Sequence, residues 1–300
     1  KTAVKAMRIG AFDYIEKPPD LNNLLNSVRG ALKSKSGTGK KVKKTIKTGK
    51  FEIVGESKKI VELKDLIVKI SPTNAKVLIL GPNGAGKELV ARQIHLNSLR
   101  SDGPFVEVNC AAIPAELIES ELFGHLKGSF TSAHKDRTGK FEAANNGTLF
   151  LDEIGDMSLS AQSKVLRAIQ ENKIQKVGSE KDIFVDTRVI AATNKNVKNL
   201  ISSNKFREDL YHRISVIELN VPKLDDRKDD IPELVSFFLD QISVQYDKNL
   251  ITIDNKALKK LASYSWPGNV RELRNVVERL IILVESDNIT EKDVIKFSGK

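Results

Sequence analysis

One short segment restricts the folds open to this chain more than any other. The apolar, β-prone run Val77–Leu80 passes directly into Gly81-Pro82-Asn83-Gly84-Ala85-Gly86-Lys87, and a helix-length amphipathic stretch, 87–98, follows at once. This is the G-x-x-x-x-G-K pattern set between a strand and a helix. Glycines let the backbone curl until consecutive N–H groups face one anion. The helix N-terminus adds its dipole, and Lys87 supplies a point charge for outer phosphates. A glycine-rich turn that binds nothing has the same composition; the flanking strand and helix favour the phosphate-binding reading.

The rest of the middle of the chain fits a loop of this kind. Further β-prone runs stand at Phe105–Asn109, Thr148–Leu151, Val189–Ala192 and Val216–Leu219, with helices expected over 87–98, 115–123 and 160–171. Such alternation predicts an α/β fold, a parallel sheet flanked by helices on both sides. From about residue 226 the strands are expected to stop. Segments 231–245, 255–264, 270–284 and a last stretch after Thr290 then read as a small helical bundle. The expected domains are a helix–strand–helix piece at 1–33, a linker at 34–50, the α/β core at 51–225 and the helical part at 226–300.

The linker decides how to read the charge. The net charge is +10, but Lys33, Lys35, Lys40, Lys41, Lys43, Lys44, Lys47 and Lys50 crowd around Gly37, Gly39 and Gly49. Such a segment buries no core; it reads as a solvated tether, with a DNA-contacting arm as the alternative. Elsewhere the charge is nearly balanced, so overall basicity says little about partners. Cys110, the one cysteine, excludes a disulfide framework and any multi-cysteine metal site. No apolar run approaches the ~20 residues that cross a bilayer, and the start, Lys1-Thr2-Ala3-Val4, has no signal-peptide core and no Met. A fragment of a cytoplasmic protein is the expectation.

Two more strand ends carry chemistry. Thr148–Leu151 ends in Asp152 and Glu153, which puts two acids at the carboxyl edge of a sheet, where α/β folds bind ligands. Glu88 stands where a Ser or Thr usually ligates Mg²⁺, so a metal here leans on Asp152, through water, while Glu153 polarises the attacking water. Such a pair alone is also an ordinary solvated loop start; a phosphate loop upstream changes its weight. Val189–Ala192 ends in Thr193-Asn194, and Asn194 is placed to hydrogen-bond a γ-phosphate or the water.

The order of these motifs resembles the sigma-54-dependent transcription activators of the nitrogen-regulatory-protein-C type. The resemblance rests on Gly-Lys-Glu at 86–88, Glu119-Ser120-Glu121-Leu122-Phe123-Gly124-His125, Gly128-Ser129-Phe130-Thr131-Ser132-Ala133, and Leu149–Gly155. Phe206-Arg207-Glu208-Asp209-Leu210-Tyr211-His212-Arg213 and Trp266-Pro267-Gly268-Asn269-Val270-Arg271-Glu272-Leu273 complete it. It implies an AAA+ core with a C-terminal helical lid. The function it implies is ATP hydrolysis with Mg²⁺, coupled to remodelling of the closed promoter complex of sigma-54 RNA polymerase. Residue by residue, it assigns phosphate binding to 81–88, metal and water to Asp152 and Glu153, and the sensor to Asn194. Asn109 becomes the residue that restrains Glu153, Arg207 and Arg213 reach a neighbouring subunit's site, and Arg271 acts from the lid. Without the resemblance, Arg207 and Arg213 read equally well as surface salt-bridging arginines.

Phe130 and Thr131 match the loop that touches sigma-54, usually Gly-Ala-Phe-Thr-Gly-Ala; a buried hairpin tip is the alternative. Ser132 replaces a glycine there, and serine pays for φ > 0 where glycine does not. Residues 10–18 resemble the end of a receiver domain, with Lys17 as its phosphoryl-pairing lysine and no acceptor aspartate within the chain. The implied partners are a hexameric or heptameric ring of the chain itself, a histidine kinase for the full-length protein, and enhancer DNA only through a helix-turn-helix absent here. The rival readings are an AAA+ remodeller of another protein, a nucleotide-dependent module with little turnover and, third, a DNA-binding protein.

Overall fold

Strand order is what brings the motifs together. The computed structural model describes residues 51–131, 133–248 and 251–299; the stub 1–33 with Lys17, the basic segment 34–50 and Ser132 lie outside them. Five strands, β1 (Val77–Leu80), β2 (Phe105–Asn109), β3 (Thr148–Asp152), β4 (Arg188–Thr193) and β5 (Ile217–Asn220), form one sheet in the order β2-β3-β4-β1-β5. Every pairing in it is parallel. Leu80 lies beside Thr193, and Asn109 beside Asp152, so the phosphate loop, the two acids and Asn194 all leave the same edge of the sheet.

Both faces are covered, which explains the continuous apolar runs. Leu149 and Leu151 point into one core and Phe150 into the other; Leu78 opposes Val77 and Ile79 in the same way. Leu149, Phe150 and Leu151 are fully buried, each worth about 1.5–3 kcal/mol. One face carries α1 (Lys58–Ile70) and α2 (Lys87–Leu96). The other carries α3 (Ile118–Phe123), α4 (Leu159–Glu171), α5 (Val197–Ser202) and α6 (Glu208–Ile214).

The lid consists of α7 (Ile231–Gln245), α8 (Asn255–Ser263), α9 (Asn269–Leu283) and α10 (Glu291–Phe297) around their own core, with Trp266 in it. Asp230, at the start of the lid, accepts from the Glu56 and Ser57 amides (2.9 and 2.8 Å) and from Ser57 Oγ (2.6 Å). A buried carboxylate with three donors pins the entry to α1 against the lid.

Several sequence expectations need correction. Strands do not stop at 226: Thr252–Ile253 pairs in parallel with Asn288–Ile289 inside the lid, a two-residue contact too short to show period-2 alternation. Helix α1 is not among the expected elements, although Ile60, Leu63, Ile67 and Ile70 line its buried stripe. The helix at 115–123 begins only at Ile118, because Leu117 N–H and Ile118 N–H both bond Pro114 O in a turn. Helix α2 ends at Leu96, where the Asn97 side chain and amide both turn back to Gln93 O.

Candidate active site

The phosphate loop curls through Gly84 at φ 73° and Gly86 at φ 108°, a left-handed region that favours glycine. Lys87, 6% exposed, donates to Gly81 O (3.0 Å) and to Glu153 Oε1 (3.0 Å). The other Glu153 oxygen accepts from the Asn194 amide at 2.9 Å, so strands β1, β3 and β4 meet at one carboxylate. Glu153 itself sits at φ 50°, an uncommon conformation for a residue with a Cβ and one that clusters at functional positions. Asp152 Oδ1 accepts from Glu153 N–H at 3.0 Å. Burial and then the Glu153 charge raise its carboxyl above the ordinary value, with Lys87 opposing.

Gly84, Gly86, Lys87, Asp152 and Glu153 line a cleft of about 570 Å³ between the core and the lid, closed on the lid side by Phe238, Val270, Arg271 and Arg274, while Gly81 and Asn194 border a separate hollow. An apolar hollow adjoins the cleft, formed by Ile53, Val54, Ala85, Leu89, Val221 and Leu234.

The lid also grips the phosphate loop directly. Asn269 Nδ2 donates to Asn83 O (3.0 Å), the Arg271 amide to Gly84 O (3.2 Å), and Arg227 Nη2 to Ala85 O (3.3 Å). A Cβ on Gly84 would stand 2.3 Å from Gly268 O and 3.0 Å from Arg271 Cβ. Gly84→Ala therefore forces lid and loop apart and adds left-handed strain of about 1–2 kcal/mol. The expected result in calorimetry is a melting midpoint lower by roughly 2–8 °C; an unchanged midpoint would show that the lid does not rest on the loop.

The remaining expected site residues divide. Arg271 faces the cleft from α9. Glu88 bonds Arg92 Nε (2.6 Å), whose guanidinium lies 4.7 Å from both the Phe51 and Phe105 ring centres. Asn109 is not joined to Glu153: its Oδ1 accepts from Ala111 N–H at 3.1 Å, capping a tight turn. Arg207 pairs with Asp209 at 2.7 Å, the surface salt bridge of the plainer reading. Arg213 is exposed and makes no hydrogen bond or ion pair among the described residues.

Phe130 is not freely exposed. It lies half-buried with its ring 4.9 Å from that of His125, edge to face, and His125 Nδ1 is 2.7 Å from Ser120 Oγ. The loop closes through Gly128 N–H on Ala133 O and Ala133 N–H on Phe130 O, leaving Thr131 exposed. Asn83, Arg227 and Asn269 are contributors whose contacts the sequence reading did not single out. Their signal was weak, since polar residues in a loop or a cap look alike until the lid is placed.

A five-stranded parallel sheet with a glycine-lysine phosphate loop, an acidic pair on the next strand but one, and a helical lid over the cleft define an AAA+ domain. Comparison with known proteins narrows the class. Residues 53–220 match the family model described as "Sigma-54 interaction domain", and residues 225–297 match "AAA+ ATPase lid domain". The chain belongs to the sigma-54 interaction domain family. It is 45% identical over 303 residues to the regulatory protein AtoC of Escherichia coli K12, covering 98% of this chain and 65% of that protein. It is 44% identical to the DNA-binding transcriptional regulator NtrC of Rhizobium meliloti, covering 97% and 60%. The crystal structure of NtrX from Brucella abortus in complex with ATP superposes with a TM-score of 0.76 at 41% identity, covering 97% of this chain and 64% of that one. The chain thus spans less than two thirds of the length of these relatives. Among the described residues, no helix is long and apolar enough to cross a membrane.

Proposed function

We propose that this chain is a Mg·ATP-hydrolysing motor that remodels the closed promoter complex of sigma-54 RNA polymerase, as a ring of identical subunits in a two-component response regulator. The observation that supports it most is the meeting of Lys87 and the Asn194 amide at the Glu153 carboxylate, with Lys87 and Glu153 in a cleft that a lid arginine also lines, in a chain of the sigma-54 interaction family. A relative 41% identical was crystallised with ATP. Here the cleft provides for a polyphosphate beside Lys87 and the adjoining apolar hollow for a flat base.

The donor chemistry suits Mg²⁺. Among the described residues no cluster of three acids or histidines forms a cage, and Mg²⁺ is usually held by one or two carboxylates plus phosphates and water. Asp152, half-buried at the cleft, would hold it, while Glu88 is already engaged by Arg92. Its chemistry there is to neutralise phosphate charge. Glu153 polarises the attacking water and Lys87 binds the outer phosphates. Asn194 orients either group, and Arg271 adds charge from the lid.

Coupling to the polymerase falls to Phe130 and Thr131. Phe130 resting on His125 gives a parked loop that must lift to present its ring. The test is open-complex formation on duplex and premelted promoters with purified sigma-54 polymerase, measured alongside ATP hydrolysis. Phe130→Ala should abolish activation and keep hydrolysis within about twofold of wild type, because a surface substitution away from the cleft shifts stability little. Normal activation by Phe130→Ala would favour a remodeller of a different protein.

A further inference from the structure

Asn83 touches both Asn194, just past the end of β4, and the lid. Its side-chain Oδ1 accepts from Asn194 Nδ2 at 3.0 Å. Its backbone carbonyl accepts from Asn269 Nδ2, also at 3.0 Å. Asn269 is 2% exposed, held at φ 55°, and its own Oδ1 takes the Leu224 amide at 2.8 Å, so it is locked into the lid's first turn. The Asn269 amide in turn bonds Trp266 O at 2.9 Å. A continuous path therefore runs from Asn194 through Asn83 and Asn269 to Trp266 in the lid core.

We propose that Asn83 is a positioning residue that reports the γ-phosphate to the lid by releasing or holding Asn194. The proposal rests on the reading of this cleft as an ATP site. The Asn194 side chain offers both its N–H donors from one nitrogen, so turning that nitrogen toward a new acceptor carries it away from the old one. In this structure the nitrogen goes to Asn83, and the Asn194 backbone N–H goes to Glu153. A γ-phosphate beside Lys87 is a charged acceptor, and bonds to charged groups are the stronger ones. It draws the amide away from Asn83, whose loop segment is then held only by its bonds from the lid, those of Asn269, Arg271 and Arg227. When the phosphate leaves, Asn194 returns. The lid feels the exchange because the shared residue is Asn83, and the neighbouring Gly84 leaves no slack against Gly268.

The arithmetic gives a sign. Asn83→Ala removes a bond present without the γ-phosphate and absent with it. A neutral hydrogen bond is worth about a factor of five, so this substitution should shift the affinity ratio of ATPγS to ADP about fivefold toward ATPγS. A residue that only shapes the loop would weaken both ligands together. Trp266 is the chain's one tryptophan, so its emission reads the lid end of the path.

The experiment titrates ADP and ATPγS, with Mg²⁺, into the wild-type chain, Asn83→Ala and Asn194→Ala, following Trp266 emission and Kd. Expected are different wild-type emission spectra with the two nucleotides, and loss of that difference in both variants. Equal weakening of both ligands by Asn83→Ala, or no wild-type emission difference, overturns the proposal. Should Asn83→Ala not fold, a retained emission difference in Asn194→Ala overturns it alone. Failure of the wild type to bind either nucleotide would instead sink the ATP reading, which keeps the two outcomes distinguishable.

Discussion

Glu153→Gln is expected to bind ATP at least as tightly as the wild type and to lose about 10²–10⁴ in turnover, the usual loss when a general base is removed. A thousandfold loss corresponds to roughly 4 kcal/mol of barrier. Tighter binding follows from the geometry. Lys87 is shared at 3.0 Å between Gly81 O and the Glu153 carboxylate, in a pair only 7% and 12% exposed at the side chain. Any phosphate that takes the lysine must compete with that anion, and a neutral amide competes less. The substitution keeps an acceptor for only one of Lys87 and the Asn194 amide, a local loss that the fold should survive because no charge is left unpaired, whereas Lys87→Ala leaves the Glu153 carboxylate without its cation and removes binding. Breaking a buried pair from one side costs about 3–5 kcal/mol. Steady-state ATPase and nucleotide titrations on both variants check this. Near-normal turnover by Glu153→Gln would remove Glu153 as the base. A wild type that binds ATP with negligible turnover would support the module that only switches, the reading favoured by a Glu153 whose two oxygens are both engaged.

How much of this was legible in the residues follows from the range of each interaction. The five sheet strands were visible because burial on both faces leaves apolar runs, and β1 and β2 have the expected bounds to the residue. The site acids and Asn194 were visible because parallel strands must deliver their carboxyl ends to one edge. What was not legible depends on which partner a polar group chooses. Asn109 caps its own turn rather than reaching Glu153, a local bond available without any tertiary cost. Arg207 closes on Asp209 two residues away for the same reason. Phe130 matches a surface contact loop by its small, polar neighbours, but Gly124–His125 pairs with Arg137–Thr138, and the loop between them brings the Phe130 ring back onto His125. The grip of the lid on the loop carbonyls crosses nearly 190 positions of sequence, beyond the reach of any periodicity.

The contrast between the two arginines leads to the other large effect. Arg207 has a carboxylate partner, while Arg213, on the same helix turn sequence, has none among the described residues. Lys76 lies nearby, since Ile217 N–H bonds Lys76 O where β5 joins β1. Its ammonium is held below the ordinary lysine value by burial first and the Arg213 charge second. Arg213 has no acid partner among the described residues, and a cation of that kind beside a second one is available to an anion from outside. A neighbouring subunit's ATP supplies such an anion, which is the arrangement the ring proposal requires. Arg213→Ala should then bind ATP normally and hydrolyse it about 10³–10⁵-fold more slowly, the usual worth of an arginine that meets the transferring phosphoryl group. Arg207→Ala should cost far less, because its charge is already satisfied by Asp209. Mixing decides whether Arg213 acts across subunits. Lys87→Ala cannot bind ATP but carries an intact Arg213, and Arg213→Ala has the opposite defect. Mixed rings contain interfaces that pair an intact site with an intact arginine, so titrating one inactive variant into the other should restore turnover, with a maximum at intermediate ratios. Turnover that stays at the level of the separate variants at every ratio, in preparations shown by light scattering to form mixed rings, would place Arg213 outside the neighbour's site.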